Sequence, residues 1–141
     1  MDENAIKLFG SKQTDHWQTP PEFLSELDKD FHFDYDPCPR YPTEDGLSAA
    51  WYGHVFVNPP YSHIAKWFKK AHEEIQKEAS IIVFLVFANT DTRWFHRYCY
   101  DQYSYCTVEI RFIKGRLKFI GDSGVKNSAM RPSMLVIFRK S

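Results

Sequence analysis

The chain has 141 residues, few cysteines, few glycines and no long apolar run. Three cysteines, Cys38, Cys99 and Cys106, are odd in number and lack paired spacing. That excludes a disulfide framework and a zinc-ligand pattern, and points to a reducing, cytoplasmic setting. The longest apolar stretch, Ile81 to Ala88, falls far short of the roughly 20 residues a membrane span requires. Met1-Asp2-Glu3-Asn4 is acidic, unlike the start of a signal peptide. Histidines at 16, 54, 63, 72 and 96 show no metal-ligand spacing, so no metal is expected. Net charge is zero, which excludes a wholly basic nucleic-acid binder. The zero conceals a gradient, from −7 over residues 1–60 to +1 over 61–106 and +6 over 107–141. An acidic end suits a cationic ligand and a basic end a polyanion.

What is present is a hydrophobic share of 43% and an aromatic share of 17%, enough for one soluble globular domain with rings to spare. Residues 1–16 are polar and aperiodic and read as a flexible arm before a single domain over 17–141. Thr19-Pro20-Pro21-Glu22 has the form of a capping box, predicting a helix to about Asp30 with Phe23, Leu24 and Leu27 as its apolar stripe. Residues 31–36 alternate with period two and predict a strand ended by Pro37. A long irregular loop, 37–53, follows. The apolar run 54–57 reads as a buried strand, and Ser62 as the cap of a helix over 63–77. Residues 80–88 carry the unbroken apolar signature of a central strand. Residues 89–92 offer a turn and cap for a helix holding Trp94, Phe95 and His96; strands are predicted over 107–112, 117–120 and 133–138, with a polar loop over 121–131. Alternating strands and helices predict an α/β fold with a mostly parallel sheet and an antiparallel C-terminal portion.

The most pointed stretch is Asn58-Pro59-Pro60-Tyr61, placed where a strand stops and a helix follows. Proline has no N–H for a ladder, so the turn is rigid and presents an amide, a backbone carbonyl and a ring at a strand's carboxyl edge. Ligands bind at that edge in open α/β sheets. Such a loop suits methylation of an exocyclic amino group, whose lone pair is delocalised into its ring. The Asn58 side-chain oxygen and the next backbone carbonyl each accept one N–H, localising the lone pair and stabilising the charge that develops on attack. Tyr61 would stack on a base swung out of its duplex. In isolation, the tetrapeptide is also an ordinary proline turn. The same chemistry serves adenine N6, cytosine N4, RNA adenine and protein glutamine, all planar nitrogens.

Six blocks occur in order: 17–22, 33–38, 55–62, Thr90-Asp91-Thr92 with Trp94-Phe95-His96, Phe112-Ile113 with Gly115 to Phe119, and 133–138. Together they resemble the phage-type DNA N6-adenine methyltransferases, a compact S-adenosylmethionine-dependent family, over nearly the whole chain. The resemblance implies a compact Rossmann-like methyltransferase fold with helices on both faces of the sheet. It implies a catalytic loop of Asn58, Pro59, Pro60 and Tyr61, with Asn58 also against the cofactor. Thr19 and Pro20, with Trp17 beside them, would meet the methionine end of S-adenosylmethionine. Asp34 or Asp36, which share a strand face, would accept from its amino or ribose groups. Asp36-Pro37-Cys38-Pro39 stands where methyltransferases generally carry a glycine-rich loop, which is missing here, so Pro37 and Cys38 count among the cofactor contacts the resemblance implies. The product would be S-adenosylhomocysteine, the substrate double-stranded DNA, and the setting a bacterial cell, phage- or prophage-encoded, with a part in restriction–modification.

A chain of this length has no room for a separate target-recognition domain, so loops 37–53, 89–97 and 114–131 are the candidates for reading sequence. Ser62, Arg93, Arg111, Lys114, Arg116 and Lys118 are the candidate DNA contacts. A catalytically silent DNA-binding relative is the alternative from another class. Oligomeric state is not legible.

Overall fold

The computed structural model describes residues 18–121, 126–128 and 131–141, with only the backbone at 126–128. The expected arm at 1–16 and Trp17 lie outside the described residues.

Helix α1 spans Pro21–Phe31, with proline in its first turn, where a missing N–H breaks no helical bond. Thr19 is not its cap: the N-cap is Pro20, and no side chain caps the helix. The helix ends within a residue of the expected Asp30. It stops at His32, which takes a left-handed φ of 52°, while the Asp28 carboxylate accepts from Phe33 N at 2.8 Å. The strand predicted over 31–36 is therefore reduced to one parallel bridge, Tyr35 to Val55.

Strand β1 (Gly53–Val57) leads through a 3₁₀ turn at Tyr61–His63 into α2 (Ile64–Glu74). Ser62 sits inside that turn rather than capping α2, and α2 ends before the predicted Lys77. Strand β2 (Ala79–Phe87) is followed by α3 (Arg93–Phe95), where Thr92 Oγ1 accepts from Phe95 N, and by a π-helical turn at His96–Tyr100. Strands β3 (Cys106–Phe112), β4 (Lys118–Ile120), β5 (Lys126–Ser128) and β6 (Ser133–Lys140) complete the chain. The loop expected over 121–131 thus contains a strand, β5, paired antiparallel with β4.

The main sheet has the order β1-β2-β6-β3. It is mixed rather than mostly parallel: β1 and β2 pair in parallel, while β6 runs antiparallel to both β2 and β3. The reason lies in β6, whose run from Met134 to Phe138 is wholly buried and so belongs between two strands, not at an edge. Arriving last, it inserts in the reverse direction. Helices cover both faces: α2 places Trp67, Phe68 and Ala71 against Val57, Phe84 and Phe138, and α1 places Leu27 and Phe31 against Phe56, Val83 and Ile137. No described helix is long and apolar enough to cross a membrane.

Loop 37–53 is built in, not loose. Trp51 is fully buried, donates from its indole to Gly46 O at 2.8 Å and from its backbone to Glu74 Oε1 at 2.7 Å. Lys70 and Lys77 flank Glu74 at 3.7 and 3.3 Å and, with the Trp51 N–H, hold its carboxyl below the usual range against the opposing effect of burial. All three cysteines are buried and free.

Candidate functional site

The strand directions gather the site at one edge. The carboxyl ends of β1, β2 and β3 and the amino end of β6 lie there together, as does the end of the 33–36 segment bridged to β1. This is the edge at which open α/β sheets bind ligands.

Two adjoining cavities open on it. The narrower, about 200 Å³, is walled by Thr19, Leu24, Asp36, Cys38, Phe56 and Asn58, with Gln18, Pro21, Pro39 and Arg40 completing it. The wider, about 570 Å³, shares Pro21, Leu24, Asp36 and Phe56 and adds Asp34, Phe33 and Tyr35. Both together lie within the range of small-molecule sites, about 300–1,000 Å³.

Asn58 is 8% exposed, and its Nδ2 donates to Thr19 Oγ1 at 3.0 Å. That bond explains why Thr19 caps nothing: its hydroxyl is turned to a residue from the next strand and settles the rotation of the Asn58 amide. Pro59 and Pro60 are buried behind it. Tyr61 lies flat on Phe87, with ring centroids 4.7 Å apart and 7° between planes, and its hydroxyl accepts from Phe87 N at 2.7 Å. Burial pushes the phenol well above its usual range, so it stays protonated.

The two candidate acids separate. Asp34 accepts from His54 N at 2.9 Å and lines only the wider cavity. Asp36 lines both, and turns one oxygen to Cys38 N at 2.8 Å. Asp36 is exposed as a residue, yet protein crowds its carboxyl, and desolvation pushes the pKa up to about 6 against the smaller opposing effect of that N–H. Cys38 lines the narrow cavity, its thiol pushed up by burial and unreactive as a nucleophile. Pro20 and Pro37 flank the cleft without lining it.

Several cavity residues lay outside the sequence-based set, among them Gln18, Leu24, Arg40 and Phe56. Arg40 donates to Gln18 Oε1 at 2.8 Å across the mouth. Leu24 and Phe56 carried an apolar signal, which reads as core; they face the cleft because the first turns of α1 overhang the end of β1.

The candidate DNA contacts are spread along the same edge. Ser62 and Arg93 are exposed beside the loops that follow β1 and β2. Lys114, Arg116 and Lys118 are exposed on the turn from β3 to β4, where Gly115 takes a left-handed φ of 78°. That segment is tied to the cleft, because Gln18 and Ile120 exchange backbone hydrogen bonds at 2.8 and 3.0 Å. Arg111 is committed elsewhere: it pairs with Glu109 and lies 5.6 Å over the Phe31 ring. No described residues form a metal-holding group of His, Cys, Asp and Glu.

An α/β protein with a ligand cleft at its carboxyl sheet edge, floored by an asparagine–proline loop, is what fold and site define. The family model for DNA N-6-adenine-methyltransferase (Dam) matches residues 9–141, and the chain belongs to that family. Membership makes it a DNA adenine-N6 methyltransferase in general class, with DNA as the substrate. No curated protein matches the chain.

Proposed function

We infer that this protein transfers the methyl group of S-adenosylmethionine to N6 of an adenine swung out of duplex DNA, within one domain spanning 17–141 on a Rossmann-like methyltransferase fold. The observation that carries the reading is the buried Asn58, anchored to Thr19 at the end of β1 on the wall of a cavity shared with Asp36. When bound, S-adenosylmethionine supplies a methyl on a sulfonium, already a good leaving group, so no strong general base is demanded.

The cleft fits that cofactor in its donor set. Leu24, Phe56 and Pro21 offer apolar walls, and a carboxyl held at about 6 at Asp36 is a ready partner for amino or ribose groups. Thr19 and Cys38 close the narrow end beside Asn58. Asn58 Oδ1 and the Pro59 carbonyl each accept a hydrogen bond from one N6–H and hold the nitrogen towards tetrahedral geometry. The methylated nitrogen releases its surplus proton to solvent after transfer. The buried Pro59 and Pro60 keep that carbonyl in place without reorganisation. Tyr61, backed on one face by Phe87, offers the other to the extruded base. Arg93, Lys114, Arg116 and Lys118, with Ser62, meet the DNA backbone along the same edge.

The test is transfer of tritiated methyl from S-adenosylmethionine to unmethylated duplex DNA, with Asn58→Ala beside wild type and nucleoside digestion of the product. N6-methyladenine from wild type and a loss of at least 100-fold in the variant, on the order expected for an electrostatic donor or acceptor removed, support the reading. Label in N4-methylcytosine would redirect the substrate, and label only in RNA or protein would remove DNA. Cofactor and DNA binding without any transfer would leave a silent relative.

A further inference from the structure

Arg131 is a cation that the preceding reading does not use. It stands just before β6, and the β2–β6 ladder continues past Phe87 and Ser133 through Ala88 N to Pro132 O at 2.8 Å. Arg131 therefore lies across from Asn89, and its Nη1 donates to Asn89 Oδ1 at 3.2 Å. Phe87, two residues before Asn89, backs the Tyr61 ring and donates to its hydroxyl. The Arg131 charge is close enough to be felt at that hydroxyl, where it favours the ionised form.

Three other arginines are neutralised or tied down. Arg111 and Arg139 share Glu109, and Arg40 is bonded to Gln18. Arg131 is exposed, and among the described residues its hydrogen-bond partner is a neutral amide, with no carboxylate at ion-pair distance. Asn89 thus orients the guanidinium while leaving its charge intact. A guanidinium has five N–H donors in a planar fork suited to a phosphate. A base entering the Asn58 site leaves its flanking phosphates at the rim, which is where this fork stands.

We propose that Arg131, oriented by Asn89, is a DNA-positioning residue that holds a backbone phosphate beside the extruded nucleotide. The inference rests on the methyltransferase reading for its ligand, but its test does not require turnover.

The test measures binding of a fluorescein-labelled 30-base-pair duplex by anisotropy over a NaCl series, for the full chain, Arg131→Gln and Arg131→Lys. Losing one phosphate contact predicts about tenfold weaker binding for Arg131→Gln. It also predicts a log–log salt slope shallower by about 1. Arg131→Lys should restore the slope, because a point charge still releases a counterion. Methyl transfer, if present, should show the Gln loss in KM for DNA, with KM for S-adenosylmethionine unchanged. Wild-type slope and affinity in Arg131→Gln would overturn the proposal. So would a loss confined to kcat with the slope intact, which would place Arg131 in support of Tyr61 instead. Failure of the methyltransferase reading shows separately, as wild type that binds DNA and transfers nothing.

Discussion

At the scale of the residue, two acids that the sequence could not tell apart are distinguished by what surrounds them. The Asp34 carboxylate is committed to His54 N, and Gly53 has φ of 63° with Asp34 packed where its Cβ would stand. Asp36 faces both cavities with a carboxyl pushed up to about 6. Its folded pKa lies above the unfolded value of 3.8, so the protein loses stability as pH rises through that window. A cationic ligand favours the ionised form. Affinity for S-adenosylmethionine should therefore rise as pH passes upward through about 6, with proton uptake from the protein by buffer, and Asp36→Asn should flatten the dependence. Titration calorimetry in buffers of different ionisation enthalpy checks this; an unchanged pH profile in the variant would remove Asp36 from the cofactor site. Asn58 was legible because Asn-Pro-Pro-Tyr after an apolar run carries its own local geometry. Thr19 was misread for the same reason: a capping box is a local pattern, and its real partner is 39 residues away.

At the scale of the element, loop 37–53 shows how far a proline- and glycine-bearing stretch can be from flexible. Gly46 packs where a Cβ would run into the Pro37 carbonyl oxygen and the Trp67 ring, neither of which can yield cheaply. Gly46→Ala should destabilise the fold by about 1–3 kcal/mol or more, as overpacking does. Urea unfolding gives the value, and a variant within about 0.5 kcal/mol of wild type would contradict this packing. A rigid loop of this kind bears on the site directly, since Cys38 and Pro39 near its start line the narrow cavity. A second internal anchor is His72, buried and neutral, whose Nδ1 accepts from the Tyr105 hydroxyl at 2.7 Å while Nε2 donates to Tyr98 O at 2.8 Å. Burial holds its pKa below 6.5. Nothing in an isolated histidine among lysines and glutamates signals such a place.

At the scale of the whole molecule, the charge gradient along the chain becomes a spatial arrangement. The basic β3–β4 turn is carried to the cleft by β3, which runs in the same direction as β1 and β2, and is fastened there through Gln18 and Ile120. Phe119 reinforces the attachment by meeting Phe87 edge-on at 6.2 Å, the ring that also backs Tyr61. Reversing Arg116 and Lys118 to Glu should weaken duplex binding and flatten its salt slope by about 2, leaving thermal stability close to wild type because both side chains are exposed. Affinity indifferent to the reversal, in a folded variant, would dismiss this turn as a DNA surface.

The sequence carries the local chemistry: the asparagine–proline loop, the apolar strands on either side of it and the acidic-to-basic drift. These are legible because strand periodicity, proline's missing N–H and charge order act over a few residues. Tertiary structure alone decided that β6 enters the sheet reversed, that Thr19 serves Asn58, that Asp36 outreaches Asp34, and that Arg131 stands beside Asn89 and Tyr61. Each of those depends on which strands become neighbours. That choice is made by burying Met134 to Phe138 between β2 and β3, a contact energy that no local window of sequence contains.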